Sequence, residues 1–289
     1  MNLRELTRYR DIVIQCHDVP DADAIASGFA LLKYIESQGG SARLVYGGTQ
    51  RVTKPNLKLM LALLNIPLEH VEELARPALL VTVDSQYGAG NVTRFEADAI
   101  AVFDHHWPEI PETSHVTIHP ALGSCATLIW DLMCQDGFDF SATSDVYTAL
   151  YYGLFSDTHH FAEMRHPLDR DLADFMPANG AIMKQLKHSE LTVDDLGIVS
   201  QALSSSRLVG NMGLLRAEPC DPNILGFSSD VARQVDQFAC CIVYCHLSAG
   251  LKLSIRSTVR EVMANELAAF LTRETGSGGG NMEKAGAYL

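Results

Sequence analysis

Short apolar runs alternating with amphipathic stretches over the first 160 residues predict an α/β fold built on a mainly parallel, doubly wound sheet. A change of texture from about Leu208 predicts a second, smaller α/β domain. Acids and imidazoles at the carboxyl ends of three apolar runs predict a site on the edge where open parallel sheets hold their ligands.

The opening stretch Met1–Arg10 is polar and helical in character. Ile12–Cys16 reads as a buried strand, and Ala24–Gln38 as a helix with apolar residues at helical spacing and Gly39-Gly40 as its stop. Arg43–Tyr46 reads as strand and Asn56–Leu64 as helix; Leu79–Val83 and Ile100–Phe103 are strands, Ser124–Met133 and Ser144–Ser156 helices. Leu168–Met176 and Ala181–Lys187, with Pro177 and Gly180 between them, form a helical connection, and Ser204-Ser205-Ser206 marks the seam. Beyond it, Gly213–Arg216, Cys240–Cys245 and Leu251–Ile255 read as strands, Val231–Phe238 and Val259–Thr272 as helices, and Gly276–Gly280 as a glycine loop. The expected division is a first domain over 1–185, a linker over 186–206 and a second domain over 207–289.

A chain of 289 residues has room for about two domains on a length prior of roughly 150 residues each. Its net charge of −13 is unevenly spread. Residues 200–289 hold eight basic and eight acidic groups, whereas residues 1–199 hold 14 basic and 27 acidic ones. That excess excludes a long nucleic-acid track, which needs a basic stripe to displace counterions. It leaves room for a small phosphorylated substrate met by bound divalent metal, whose charge dominates locally. No apolar stretch approaches the roughly 20 residues that span a bilayer, and no apolar signal core follows the start. The seven cysteines, mostly inside apolar runs, read as reduced and buried, so the expected location is cytoplasmic. Cys241 and Cys245 lack a second pair at zinc spacing and read as core.

His17, Asp21 and Asp23 lie in the loop that leaves the first strand, Asp84 ends the run Leu79–Val83, and Asp104-His105-His106 ends Ile100–Phe103. Asp157 follows at the end of another helix. Hard carboxylate oxygens with a few imidazoles suit a catalytic divalent cation. Each group has a plainer explanation: Asp21 and Asp23 as helix caps, Asp104 as a structural partner of a histidine, Asp157 as a solvated carboxylate. Four such coincidences must hold together, and capping does not account for His17 or Asp84.

The chain resembles the DHH phosphoesterase superfamily, named for the tripeptide seen here as Asp104-His105-His106. His17–Ser27 resembles its H-x-x-P-D-x-D-A-x-x-S motif, Val83-Asp84-Ser85 its second motif, and Gly153–Phe161 its fourth. The second half resembles the associated DHHA1 domain, with Lys252–Ser257 similar to its V-S-L-R-S strand and Gly278-Gly279-Gly280 to its glycine loop. Size and domain pair are most similar to the small bacterial nanoRNases, 3′-phosphoadenosine-5′-phosphate phosphatases and dinucleotide phosphodiesterases. The resemblance implies two divalent ions, manganese above all, in a cleft between the domains. One would be held by His17, Asp21 and Asp84, the other by Asp23, Asp84, His105 and Asp157, with Asp84 bridging. His106 would face the substrate phosphate and Asp104 would orient a neighbour. Arg256, Gly278, Gly279, Gly280 and Asn281 would bind substrate. Metal-activated hydroxide would then attack a short nucleotide or oligoribonucleotide, and a homodimer is compatible with this group.

Three features depart from the pattern. Asn281 stands where a histidine usually follows the glycine loop, His159-His160 replaces a Gly-Arg-like pair, and the chain stops eight residues past Asn281, as a trimmed domain or a short variant. Two alternatives accompany the phosphoesterase expectation. An inorganic pyrophosphatase or polyphosphatase shares the metal motifs but favours a Lys/Arg-rich second domain, and a non-catalytic nucleotide-binding module would be expected to lose a metal ligand.

Overall fold

A computed structural model of the protein describes residues 2–111, 113, 115–247 and 250–289; Met1, at the head of the opening helical stretch, lies outside them. The chain forms two units, Met1–Glu190 and Leu191–Leu289.

The first unit runs α1 (Leu3–Leu6), β1 (Ile12–Cys16), α2 (Ala22–Ser37), β2 (Ala42–Tyr46), α3 (Pro55–Leu63), β3 (Leu68–His70), β4 (Leu79–Val83), β5 (Ile100–Asp104), β6 (Val116–Ile118), α4 (Cys125–Gln135), α5 (Ser144–Asp157), α6 (Pro167–Asp174) and α7 (Gly180–Lys187). Its six strands pair in parallel in the order β3-β2-β1-β4-β5-β6. The order reverses between β1 and β4, which makes their carboxyl ends the switch point where such sheets take ligands. Every residue of β1 and β4 is buried, Gln15 and Thr82 included, so neither strand alternates between a buried and a solvated face.

The two faces of the sheet are covered differently. Ile12, Ile14, Leu79, Val81 and Phe103 share one core with residues of all seven helices. Val13, Val45 and Leu80 face the other way, where Phe95, Val71, Leu74, Tyr87 and Ala97 from non-helical segments cover them. The parallel order is that of a doubly wound sheet, while the described helices gather on one face. Close packing fixes Gly28 in α2, where an added Cβ would come within 2.5 Å of Leu44 Cδ1 on β2. The three-residue edge strands β3 and β6 carry no apolar run of their own and exist through pairing with β2 and β5.

The second unit runs α8 (Val193–Ser204), β7 (Arg207–Val209), β8 (Met212–Arg216), α9 (Pro222–Ala232), β9 (Cys240–Leu247), β10 (Gly250–Ser257), α10 (Ala264–Thr272), β11 (Ser277–Gly280) and β12 (Lys284–Tyr288). Its sheet has the order β11-β12-β10-β9-β8-β7, with only β8 and β9 parallel. Residues of α8 and α9 pack on one face with Leu215, Val243, Cys241 and Cys245, and residues of α10 on the other with Ile242, Leu253 and Ile255. Those two cysteines are core residues, and all seven are free thiols.

Three local expectations are corrected. The helix expected at Val231–Phe238 lies instead at Pro222–Ala232, because Asp221 caps its start and Pro222 occupies the first turn. Its partner expected at Val259–Thr272 begins only at Ala264. The glycine run is not a loop: Ser277–Gly280 is an edge strand paired antiparallel with β12, where small residues Ala285, Gly286 and Ala287 stand opposite. No helix among the described residues is long and apolar enough to cross a membrane.

Candidate metal centre

The loop after β1 is shaped by its own acids. Asp18 accepts from the backbone N–H and hydroxyl of Thr93, at 2.7 and 2.9 Å, and so pins the loop to the segment after β4. Asp21 is the N-cap of α2: its Oδ1 accepts from the N–H groups of Asp23 and Ala24, at 2.9 and 3.0 Å. Its other oxygen lies 3.8 Å from His17 Nε2. Capping and metal binding therefore use different oxygens of one carboxylate. Asp23 caps a different helix, 102 residues away. It accepts from Cys125 N–H at 2.7 Å and Ala126 N–H at 2.8 Å, at the positive N-terminus of α4.

Asp84 is the hub. It follows β4 with φ of +55°, a backbone region few residues other than glycine and asparagine adopt cheaply. Its Oδ2 lies 3.6 Å from His17 Nε2, and its Oδ1 lies 3.4 Å from His105 Nε2. His105 Nε2 is in turn 3.4 Å from Asp157 Oδ2 and 3.8 Å from Asp23 Oδ2. The far nitrogen of His105 donates to the Leu122 carbonyl at 3.2 Å, which aims Nε2 at the acids. Donor atoms thus converge in two groups, His17, Asp21 and Asp84, and Asp23, His105 and Asp157, with Asp84 placed between them. Asp84 Oδ1 is buried and has no hydrogen-bond partner. A buried, unpartnered carboxylate oxygen facing imidazoles is the environment a divalent cation satisfies, so the residues fit the metals expected of them.

His106 is placed for a different task. Its Nδ1 donates to Asp104 Oδ1 at 2.8 Å, and nearly half of its side chain is open. Asp84, His105 and His106 also lie within ligand distance of one another, but Nδ1 of His106 is committed to Asp104. Asp104 is fully buried, and burial alone would raise its pKa; hydrogen bonds from His106 and Gln86 and the charge of His105 bring it down to about 2. It remains a carboxylate that fixes His106. Gln86, which sequence reasoning passed over, completes this arrangement, and no local pattern marks it. The same holds for Asp169, a buried carboxylate that accepts from Gly123, Thr127, Arg165 and His166 and ties α6 to the start of α4.

Burial would lower the pKa of His17, but hydrogen bonds and charge from Asp21 and Asp84 outweigh it and hold the imidazole at about 10. At pH 7 His17 therefore carries a proton that a cation must displace. Metal binding is expected to release about one proton from this group and to tighten as pH rises toward 10. Calorimetry in buffers of different ionisation enthalpy counts the protons released by the whole donor set, to which His105, also raised by its carboxylates, contributes; zero protons released at pH 7 would exclude His17 as a ligand.

The proposed substrate residues of the second unit are differently placed than expected. Arg256 is not a free cation at a strand end. Its Nε donates to Asp230 Oδ1 at 2.5 Å, one terminal nitrogen to Asp230 Oδ2 at 3.3 Å, and the other to Ser254 Oγ and the Ile255 carbonyl, each at 3.1 Å. The fork that matches phosphate geometry is taken by a carboxylate. Asn281 is a turn residue: its side-chain oxygen accepts from Glu283 N–H at 2.9 Å and Lys284 N–H at 2.8 Å, closing the hairpin from β11 to β12. Gly278, Gly279 and Gly280 present the backbone of an edge strand.

An uncharacterized protein of Methanocaldococcus jannaschii is 25% identical over 283 residues, 96% of this chain. The cyclic-di-AMP phosphodiesterase GdpP of Geobacillus thermodenitrificans is 27% identical over 208 residues, 65% of this chain. The chain spans 58% and 31% of the length of these two relatives. Among solved structures, an exopolyphosphatase-related protein from Bacteroides fragilis superposes with a TM-score of 0.73 at 18% identity, covering 99% of this chain and 89% of that one, a likeness of fold. The DHH family N-terminal domain matches residues 11–176, which takes in every residue of the two donor groups. On that match the chain belongs to the DHH family, whose members are metal-dependent phosphoesterases.

Proposed function

We propose that this protein is a phosphoesterase that hydrolyses short nucleotides with two divalent cations, manganese foremost. The observation that carries the reading is Asp84, whose two oxygens point to different imidazoles, His17 and His105. His17, Asp21 and Asp84 would hold one ion, and Asp23, Asp84, His105 and Asp157 the other. The carboxylates, which outnumber the imidazoles, suit a hard cation such as manganese. When bound, such a pair of cations lowers the pKa of water toward neutrality and neutralises charge on phosphoryl oxygens. The remaining work belongs to the chain. His106, whose Nδ1 is held by Asp104, keeps Nε2 for a phosphate oxygen. Asp23 is held rigid by the α4 amides and Asp21 by its own capping bonds, so the donors are preorganised. Nanorna fragments, linear or cyclic dinucleotides and 3′-phosphoadenosine 5′-phosphate are the substrate class that fits, and the GdpP relative supports it.

The test is turnover by purified protein with Mn²⁺ of pAp, pApA, pGpG, cyclic dinucleotides, a 5-mer RNA and pyrophosphate. Hydrolysis of at least one nucleotide supports the reading; hydrolysis of pyrophosphate alone replaces it with the pyrophosphatase alternative, and no turnover replaces it with a binding module. Two variants test the division of labour. His105→Ala is expected to lose one bound metal, while His106→Ala keeps both and slows hydrolysis. Equal metal losses in elemental analysis would show that the two imidazoles do not divide the work.

A further inference from the structure

We propose that Trp107 is the specificity residue of this site, a platform on which the base of a nucleotide stacks while its phosphate lies at His106. The inference rests on the phosphoesterase reading above and deepens it, because it commits the site to substrates with a planar ring beside the phosphate. The chain has two tryptophans. Trp130 is buried in the core of the first unit, whereas Trp107 is 50% exposed and directly follows His106. A single exposed aromatic side chain is unremarkable by itself; the way this one is held is not.

Gln86, buried behind the loop, uses all four hydrogen-bonding positions of its carboxamide. Its Nε2 donates to Asp104 Oδ2 at 2.7 Å and to the Trp107 carbonyl at 2.9 Å. Its Oε1 accepts from Glu109 N–H at 2.7 Å and Ile110 N–H at 3.2 Å. Three of the four bonds fix the backbone of the loop that carries the indole, and the fourth fixes the carboxylate that orients His106. Pro108 stiffens the loop further, since its ring sets its own φ and keeps Trp107 out of helical backbone. One buried side chain therefore fixes both the carboxylate that orients the imidazole and the backbone from which the neighbouring indole projects. With the backbone beneath it already fixed, the indole has only its own side-chain torsions to order on binding a flat ring. Every base has such a face, and pyrophosphate has none. Gln86 is the positioning residue and Trp107 the one that touches substrate.

Two probes separate the base from the phosphate: adenosine 5′-monophosphate carries both, ribose 5-phosphate only the second. Binding is measured with Mg²⁺ by intrinsic fluorescence and by inhibition of nucleotide hydrolysis. In a Trp130→Phe background, adenosine 5′-monophosphate is expected to quench the remaining indole and ribose 5-phosphate to leave it unchanged. Trp107→Ala is expected to weaken the nucleotide about 5- to 150-fold, the range base stacking commands. The same change leaves ribose 5-phosphate binding unaltered, and Trp107→Phe recovers most of the loss. Equal effects on the two probes, or no quenching at saturation while nucleotides are still hydrolysed, overturn the platform and leave the phosphoesterase reading standing. If wild-type protein binds neither probe and hydrolyses no nucleotide, both fall.

Discussion

Replacing Asp84 is expected to abolish turnover in Mn²⁺, and to do so without unfolding the protein. Both donor groups depend on this carboxylate, and loss of a supporting outer-shell partner alone typically costs roughly 10- to 100-fold. A shared ligand should cost more. Two replacements separate chemistry from backbone. Asp84→Ala places a Cβ-bearing residue without a polar side chain at φ of +55°, which carries a strain of its own, whereas asparagine tolerates that region well. Asp84→Asn therefore keeps the backbone and removes only the charge. In both variants metal content should fall along with activity. Turnover of Asp84→Asn within tenfold of wild type would remove the two-metal reading. In the metal-free Asp84→Asn variant the proton on His17 should be held less tightly, because Asp84 is one of the two carboxylates that raise this imidazole.

Arg256→Ala has the second largest expected effect, and it acts on stability rather than on KM. The guanidinium and Asp230 are both largely out of solvent, and removing one partner of such a pair typically costs about 3–5 kcal/mol because the other charge is left buried. Asp230 keeps some exposure, so the lower end of that range is expected. Chemical denaturation followed by a probe in the second unit should show the loss. Asp230→Ala should behave similarly, and an apolar pair of matching volume at both positions should recover most of it. If Arg256→Ala instead leaves stability unchanged and raises KM for a dinucleotide, the arginine exchanges Asp230 for a phosphate when substrate binds. Arg256 would then be a cation that serves the substrate.

Asp84 and Arg256 mark how far local sequence pattern reaches. Asp84 follows an apolar run, and the run itself announces a buried parallel strand, so its position at the carboxyl edge was legible without coordinates. Arg256 also ends an apolar strand, yet its partner Asp230 sits 26 residues earlier on a helix that local pattern places too late in the chain. Local pattern can say that a cation at the end of a strand needs an anion. It cannot say whether that anion is part of the protein or of a ligand. The glycine run illustrates the same limit: four small residues without side-chain signal became an edge strand because β12 offers them a backbone to pair with.

The sequence alone determined the parallel α/β architecture of the first unit and the set of acids and imidazoles at its switch point. Those follow from short-range physics: apolar runs must be buried, helices start at caps and stop at glycines, and a residue one step past a buried strand emerges at the sheet edge. Only the tertiary structure decided how the donors are shared. It gave one oxygen of Asp21 to a cap and the other to the site, and handed Asp23 to the amides of a helix 102 residues away. It also set Gln86 behind Asp104 and closed Arg256 onto Asp230. Each of these is a hydrogen bond between segments distant in sequence or a choice between lone pairs of one carboxylate. Which buried polar atoms find a partner, and which, like Asp84 Oδ1, are left facing the site, is settled by the folded arrangement as a whole, and no window of the sequence contains it.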